Sequence, residues 1–166
     1  MMRLNAAMPS SRNLPAHSLR QRCPGAIKET VRGRLFGYGY SRPRSVNVKL
    51  VHYFARSGRH AYLVAEEILG ITPFIHDCRV RISGSTFRIY FTRHRVLPPN
   101  LALLSIHASR PWHGQMLVVR LDETSAHEVN LKRGDISRID KIASRFMEEV
   151  CNRSRIPEVL HFGPIA

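Results

Sequence analysis

Two short segments near the middle of the chain carry arginine in a pattern of alternate positions, one with two arginines and one with an arginine and a tyrosine. Arg79 and Arg81 are two residues apart in the first segment, and Arg88 precedes Tyr90 by the same spacing in the second. A β-strand sends residues i and i+2 to the same face, so each pair would point one way. Guanidinium groups bind phosphate through paired hydrogen bonds and also stack on bases. The pattern therefore predicts a sheet face that can bind a polyanion.

Further arginines flank these two segments. Arg93 and Arg95 follow the second segment, and Arg42 and Arg44 end a stretch rich in glycine and tyrosine at 37–44. Tyrosines interleaved with glycine and arginine can stack on unpaired bases. A turn-rich linker whose tyrosines pack on the domain edge would have the same composition, and we prefer that simpler interpretation for 37–44. The candidate nucleic-acid-binding residues are Arg42, Arg44, Arg79, Arg81, Arg88, Tyr90, Arg93 and Arg95.

Charge is distributed unevenly along the 166 residues. The chain holds 26 Lys and Arg against 12 Asp and Glu, a net charge of +14. Residues 1–44 contribute +8 of this excess, together with four prolines, four glycines and few periodic hydrophobic residues. This composition predicts a disordered basic arm over 1–44. The arginine- and serine-containing, acid-poor sequence up to Lys28 also fits a mitochondrial transit peptide.

The cysteines and histidines predict no metal centre or cofactor. Cys23, Cys78 and Cys151 are too few and too scattered for a disulfide framework, which favours a reducing compartment. His76 and Cys78 would point the same way on a strand, but a zinc site needs three or four ligands and no second pair exists. We therefore expect a buried thiol beside a partly exposed histidine.

Catalysis by histidine is a weaker possibility. The chain has nine histidines, and His107 and His113 could meet near Asp122 as a small hydrolase would require. No phosphate-binding loop and no dinucleotide fingerprint accompany them. Enzyme activity therefore stays uncertain, and its absence is the more favoured interpretation.

No apolar segment approaches the ~20 residues that a membrane-spanning helix requires. The N-terminus also lacks the apolar core and cleavage site of a secretion signal. We expect an intracellular protein that does not enter a membrane, although the sequence does not distinguish nucleus, cytoplasm and mitochondrion.

The arginine pairs lie on a predicted hairpin of strands 78–83 and 86–92, joined at Gly84–Ser85. In this register six apolar residues share one face: Ile82 opposite Phe87, Val80 opposite Ile89, and Cys78 opposite Phe91. The other face pairs Arg81 with Arg88 and Arg79 with Tyr90. Because like charges directly opposite are destabilising, an acid should cover them. It could come from 66–67, from 148–149 or from an external polyanion.

Two more strands, 101–107 and 115–121, complete an antiparallel meander of about four strands. Apolar residues at spacings of three and four predict an amphipathic helix over 136–151 and a shorter one over 60–69. The expected architecture is one α+β domain from 45 to 157, with the arm before it and an irregular tail over 158–166.

Three functions follow from these features, in order of preference. The first is non-enzymatic binding of nucleic acid, either RNA or a ribonucleoprotein, through the arm and the arginine face. The second is a protein-interaction or scaffold domain whose charge is incidental. The third is a small histidine-dependent hydrolase.

Overall fold

The computed structural model describes residues 28–55, 58–70, 75–106, 111–151, 153 and 156–163. Eight strands and three α-helices lie within these ranges. In chain order they are β1 (Lys28–Phe36), β2 (Arg44–Ala55), β3 (Gly58–Leu63), α1 (Glu66–Leu69), β4 (Ile75–Ile82), β5 (Ser85–Thr92), α2 (Leu101–Leu104), β6 (Met116–Leu121), β7 (Glu128–Val129), α3 (Ile136–Cys151) and β8 (Val159–Phe162). A single 3₁₀ turn, Arg133–Asp135, leads into α3.

The strands form one mixed sheet that curls into a half-barrel. Its order is β3-β2-β1-β6-β5-β4-β8, and β7 adds to the end of β6. Neighbouring strands are antiparallel except β4 and β8, which are parallel. Strand β6 is central because β1 and β5 pair with its two edges.

Both faces of β6 are buried, and each belongs to a different core. Met116 and Val118 point into the helix-side core, which contains residues of α2, α3, β4 and β5. Leu117 and Val119 point into the strand-side core, which is enclosed by β1, β2, β3 and α1. A strand covered on both faces reads as a continuous apolar run, and Met-Leu-Val-Val does so. The curl thus allows one sheet to bury two apolar layers.

Helix α3 supplies one wall of the helix-side core. Six of its residues at helical spacing are buried, namely Ile139, Ile142, Ala143, Phe146, Met147 and Val150. Phe146 contacts the rings of Phe91 and Trp112 at centroid distances of 5.1 and 6.2 Å. The amphipathic helix expected from the spacing over 136–151 is present with those bounds.

Asn100 joins three segments at one end of the sheet. Its side-chain amide donates to the carbonyl oxygens of Phe36 at 2.9 Å and Gly114 at 2.7 Å, and its Oδ1 accepts from the Leu103 N–H at 3.0 Å. The residue is fully buried, so these three bonds satisfy a polar group that would otherwise be costly. We call this end of the sheet, where Phe36, Met116 and Phe91 lie side by side, the Trp112 end.

The antiparallel meander of four strands expected from the sequence is wrong. The sheet has eight strands in the described ranges, and one pairing is parallel. Leu101–Leu104, expected within a strand over 101–107, is helix α2 instead. Asn100 caps this helix through Leu103, and Leu-Ala-Leu-Leu consists of good helix formers, so the local preference is helical. His107 lies outside the described residues.

The helix expected over 60–69 is also wrong in its first half. Strand β3 extends to Leu63, and only Glu66–Leu69 is helical. Ala61 and Leu63 face the strand-side core while Tyr62 is exposed, which is the alternation of an edge strand. Apolar residues at 61, 64, 65, 68 and 69 fit a helix equally well when strand pairing is unknown.

Parts of the expected arm and tail belong to the sheet. Residues 28–44 contain β1 and the first residue of β2, and residues 159–162 form β8 beside β4. Gly33 is one of the glycines that made 1–44 resemble a disordered arm. A Cβ there would lie 2.9 Å from Leu117 Cδ1, so glycine permits the close approach of β1 to β6. The remainder of the expected arm, residues 1–27, lies outside the described residues.

No helix in the described part of the chain combines the length and the apolar character needed to cross a membrane.

Candidate polyanion-binding surface

The β4–β5 hairpin carries the central arginines. Its turn is Ser83–Gly84, and both residues have positive φ, 44° and 73°, as a two-residue hairpin turn of type I′ requires. The expected turn, Gly84–Ser85, was one residue too late. The true register pairs Val80 with Phe87 and Arg79 with Arg88.

The six apolar side chains of the hairpin nevertheless share the helix-side core, because a shift of two positions preserves the face. The arginines therefore lie on the opposite face.

Arg88 is neutralised from within the chain. Its Nε donates to Asp77 Oδ2 at 2.7 Å, and its Nη1 donates to Glu128 Oε1 at 3.1 Å. Among the described residues, the expected acidic cover is present for Arg88 only, and its acids are not those at 66–67 or 148–149. No pattern in the sequence indicated Glu128, because it lies in a polar connection and reaches the site only through the two-residue strand β7.

Tyr90 takes part in the same network and is not available to a ligand. It is buried, its ring packs in the strand-side core, and its hydroxyl donates to Glu128 Oε1 at 2.8 Å. Burial raises the pKa of Tyr90 far above its usual value, and the negative charge of Glu128 raises it further. The phenol therefore remains a neutral donor at physiological pH.

Arg79 and Arg81 remain on the face as cations. Arg81 is exposed and Arg79 is partly exposed. On β8, Val159 lies opposite Arg79 and His161 opposite Arg81, so exposed His161 shares this face. Neither guanidinium makes an ion pair with a described residue. We call Arg79, Arg81 and His161 the β4–β8 basic face.

Arg93 and Arg95 are not part of that face. They follow β5 in the loop at the Trp112 end, roughly 23 Å of extended strand from Thr86, the partner of Arg81. Arg93 donates to the carbonyl oxygen of Val150 at 3.0 Å, and its guanidinium lies 5.6 Å from the Trp112 ring centroid. Arg93 thus helps to cap the C-terminal end of α3. Both Arg93 and Arg95 are exposed.

Arg42 and Arg44 also lie at the Trp112 end, at the turn between β1 and β2. The Arg44 guanidinium covers the Tyr40 ring at 3.9 Å, and Tyr40 packs against the strand-side core. The preferred interpretation of 37–44 as a turn with packed aromatics fits Tyr40. The eight candidate residues therefore fall into three groups. Arg79 and Arg81 lie on the β4–β8 basic face, and Arg88 and Tyr90 belong to an internal network. The other four, Arg42, Arg44, Arg93 and Arg95, lie at the Trp112 end.

A histidine-dependent hydrolase site is not assembled from His113 and Asp122. These residues flank opposite ends of β6, whose six residues span roughly 20 Å. His113 Nδ1 lies 2.8 Å from the Leu97 carbonyl oxygen. Asp122 closes a turn, and hydrogen bonds from Thr124 and Ser125 hold its pKa well below the usual range.

The described residues contain no cluster of three or more His, Cys, Asp and Glu side chains that could hold a metal ion. His76 is exposed and lies 5.5 Å from the Phe91 ring, while Cys78 is completely buried. His76 and Cys78 therefore differ in exposure to solvent, although they are two positions apart on the same strand.

An open cleft of about 670 Å³ lies beside the first residues of β4. Two carboxylates border it, and one of them, Asp77, already pairs with Arg88. Its lining residues are Ile75, His76, Asp77, Ile156, Pro157 and Glu158. The carboxylates make this cleft unsuitable for a polyanion.

Comparison with known proteins identifies no relative of this chain. A scan against protein-family models, a search of curated proteins and a search of solved structures each found no match.

Proposed function

We propose that this chain is a non-enzymatic nucleic-acid-binding protein whose folded part contacts the phosphate backbone through Arg79 and Arg81. The observation that supports the proposal is the division of charge on one sheet face. Arg88 forms ion pairs with Asp77 and Glu128, whereas the two guanidinium groups of β4 make no ion pair among the described residues. Exposed guanidinium groups two residues apart on a strand are suited to successive phosphates.

The distribution of net charge supports the same proposal. Once β1 is counted with the sheet, residues 28–166 hold 22 Lys and Arg against 12 Asp and Glu, a net charge of +10. Most of the excess charge therefore belongs to the part of the chain that contains the sheet, and only +4 belongs to residues 1–27. A net positive charge of this magnitude attracts a polyanion and speeds its association.

The test is a salt titration of binding to RNA and to DNA by the full chain. The logarithm of affinity should fall linearly with the logarithm of salt concentration. The double variant Arg79→Ser/Arg81→Ser should lose about 1.8 from the slope on duplex DNA, because each phosphate contact contributes about 0.9. No retention of either polymer at low salt would refute the proposal.

A matched control distinguishes binding by Arg79 and Arg81 from a general effect of net charge on the salt slope. Arg133→Ser/Arg138→Ser removes the same charge from two exposed arginines at the start of α3. The control should change the slope much less than the β4 double variant. Equal losses from both variants would overturn the assignment to Arg79 and Arg81.

A second candidate is a protein-interaction domain with incidental charge, and the internal neutralisation of Arg88 favours it. It expects the β4 double variant to bind nucleic acid like the wild type. It also expects the full-length variant with serine at positions 3, 12, 20 and 22 to lose all binding, since the N-terminal arginines would then account for it. We propose an intracellular location for either activity, which the few, scattered cysteines of the sequence favour.

A further inference from the structure

The loop that follows β5 presents apolar side chains to solvent at the Trp112 end. Val96 is 83% exposed at the tip of a turn, and Leu101 is 52% exposed at the start of α2. The turn is closed by a hydrogen bond from the Leu97 N–H to the His94 carbonyl oxygen at 2.9 Å. We call residues 93–101 the Val96 loop.

The Val96 loop is attached to the segment before β6 by backbone hydrogen bonds although it lies on the surface. The His94 N–H donates to the His113 carbonyl oxygen at 3.2 Å, and the Gly114 N–H donates to that of Pro98 at 3.3 Å. The His113 ring also contacts the Leu97 carbonyl oxygen at 2.8 Å. Two consecutive prolines, Pro98 and Pro99, restrict the backbone further. Val96 is therefore exposed on a loop that these hydrogen bonds attach to residues 113–114.

Positive charge surrounds this apolar tip. Arg95 precedes Val96 directly, is exposed and makes no ion pair with a described residue. The neighbouring β1–β2 turn adds Arg42 and Arg44, and the Asn100 bond to Phe36 holds the end of β1 against the loop. Residues 93–101 and 37–44 contain no Asp or Glu. The partner should therefore combine negative charge with a site that accepts an aliphatic group.

We infer that Val96 is a wedge that enters the base stack of a nucleic-acid duplex, with Arg95 on a flanking phosphate. The inference rests on the proposed function and goes further, because it names a distorted duplex as the preferred ligand. Aliphatic side chains inserted between base steps partly unstack them and kink the duplex. Unstacking costs least where a base is already unpaired, so the protein prefers a duplex with a bulged base.

The full-length protein is titrated with a perfect duplex and with the same duplex carrying one unpaired base beside 2-aminopurine. The wild type should bind the bulged duplex more tightly and raise the 2-aminopurine fluorescence, because the wedge unstacks the probe. In Val96→Ser the two duplexes should bind equally and the fluorescence increase should be lost. Its affinity for the perfect duplex should fall by a smaller factor than its affinity for the bulged duplex.

Two further variants distinguish the wedge from the basic face. Tyr62→Ser removes another large exposed hydrophobic side chain, which lies on β3 and is 50% exposed. This variant should retain the preference for the bulge. Arg79→Ser/Arg81→Ser should weaken both duplexes by the same factor and keep the fluorescence increase.

The outcomes distinguish the wedge from the proposed function. Binding without preference for the bulge, or a preference that survives Val96→Ser, would overturn the wedge and leave the proposed function intact. Failure of the wild type to bind either duplex, although it binds RNA or DNA in the salt titration, would also overturn the wedge alone. Only failure to bind any of these polymers would refute the proposed function. Urea unfolding of each variant confirms that it is folded during the titration.

Discussion

Glu128 accepts a hydrogen bond from the hydroxyl of Tyr90 at 2.8 Å, and both side chains are almost excluded from solvent. Tyr90 points inward from the middle of β5, whereas Glu128 arrives on β7, which pairs with the last residues of β6. Arg88 donates to the same carboxylate oxygen at 3.1 Å. A carboxylate is tolerated at this depth because a cation and a neutral donor both satisfy it. A polar network thus adjoins the strand-side core at this point.

Removal of either partner should destabilise the fold by a predictable amount. Glu128→Ala leaves the Tyr90 hydroxyl and one side of Arg88 without an acceptor, and should lower the free energy of unfolding by about 2–4 kcal/mol. Tyr90→Phe removes one hydrogen bond to a charged group and should cost about 1–3 kcal/mol. Urea unfolding followed by the fluorescence of Trp112 measures both.

Glu123 provides a control for the loss of a negative charge. It is exposed in the connection between β6 and β7, so Glu123→Ala should change the free energy of unfolding by no more than about 0.5 kcal/mol. Similar values for Glu128→Ala and Glu123→Ala would contradict the network.

Gly114 should tolerate no side chain. Its φ is +130°, and a Cβ there would lie within bonding distance of the Thr92 carbonyl group. The substitution Gly114→Ala should therefore cost about 4 kcal/mol or more, or prevent folding, because both the backbone conformation and the β5–β6 pairing must change. Thermal unfolding followed by circular dichroism gives the answer.

The same measurement on Gly134→Ala is the control. No atom lies within 4 Å of a Cβ built at Gly134, and its φ is not positive. This variant should keep or slightly raise the stability of the wild type, because alanine reduces the entropy of the unfolded chain. A wild-type melting temperature for Gly114→Ala would show that the contact with Thr92 does not form.

The elements that a local pattern determines were predictable from the sequence, and those that depend on distant pairing were not. Helix α3 repeats apolar residues at a helical period over four turns, which no other element can satisfy. Strand β1 alternates Val31, Gly33 and Leu35 with charged residues, and Gly33 is explained only once Leu117 lies against it. Leu101–Leu104 is apolar on every side, so periodicity could not separate a buried strand from a short helix.

The candidate site was predictable in composition and not in assembly. The alternation that placed Arg79 and Arg81 on one face is a property of any strand, so it survived the error in register. The partners of Arg88 come from β4 itself and from β7, 40 residues away, and the latter depends on the pairing of β7 with β6. The distance from Arg81 to Arg93 likewise follows from strand length, which a spacing in sequence does not reveal.

The Cys78 thiol should be unreactive towards alkylating reagents while the protein is folded. Its side chain is fully buried, and its Sγ donates to the Pro157 carbonyl oxygen at 3.2 Å. Burial, together with the charge of Asp77, raises the pKa of the thiol from 9.0 to about 11. The thiolate is the reactive form, so iodoacetamide should label Cys78 slowly at pH 8 in Cys23→Ser/Cys151→Ser, and rapidly once urea is added.

The raised pKa also sets the direction of a pH effect on stability. Because the folded protein holds the proton more tightly than the unfolded chain does, the contribution of Cys78 is complete below pH 9 and is lost as the pH rises towards 11. Other groups titrate in this range, so Cys78→Ala serves as the reference: its free energy of unfolding should fall less steeply between pH 9 and 11. Parallel profiles for the two proteins, or rapid labelling of the folded protein, would show that solvent reaches the thiol behind β8.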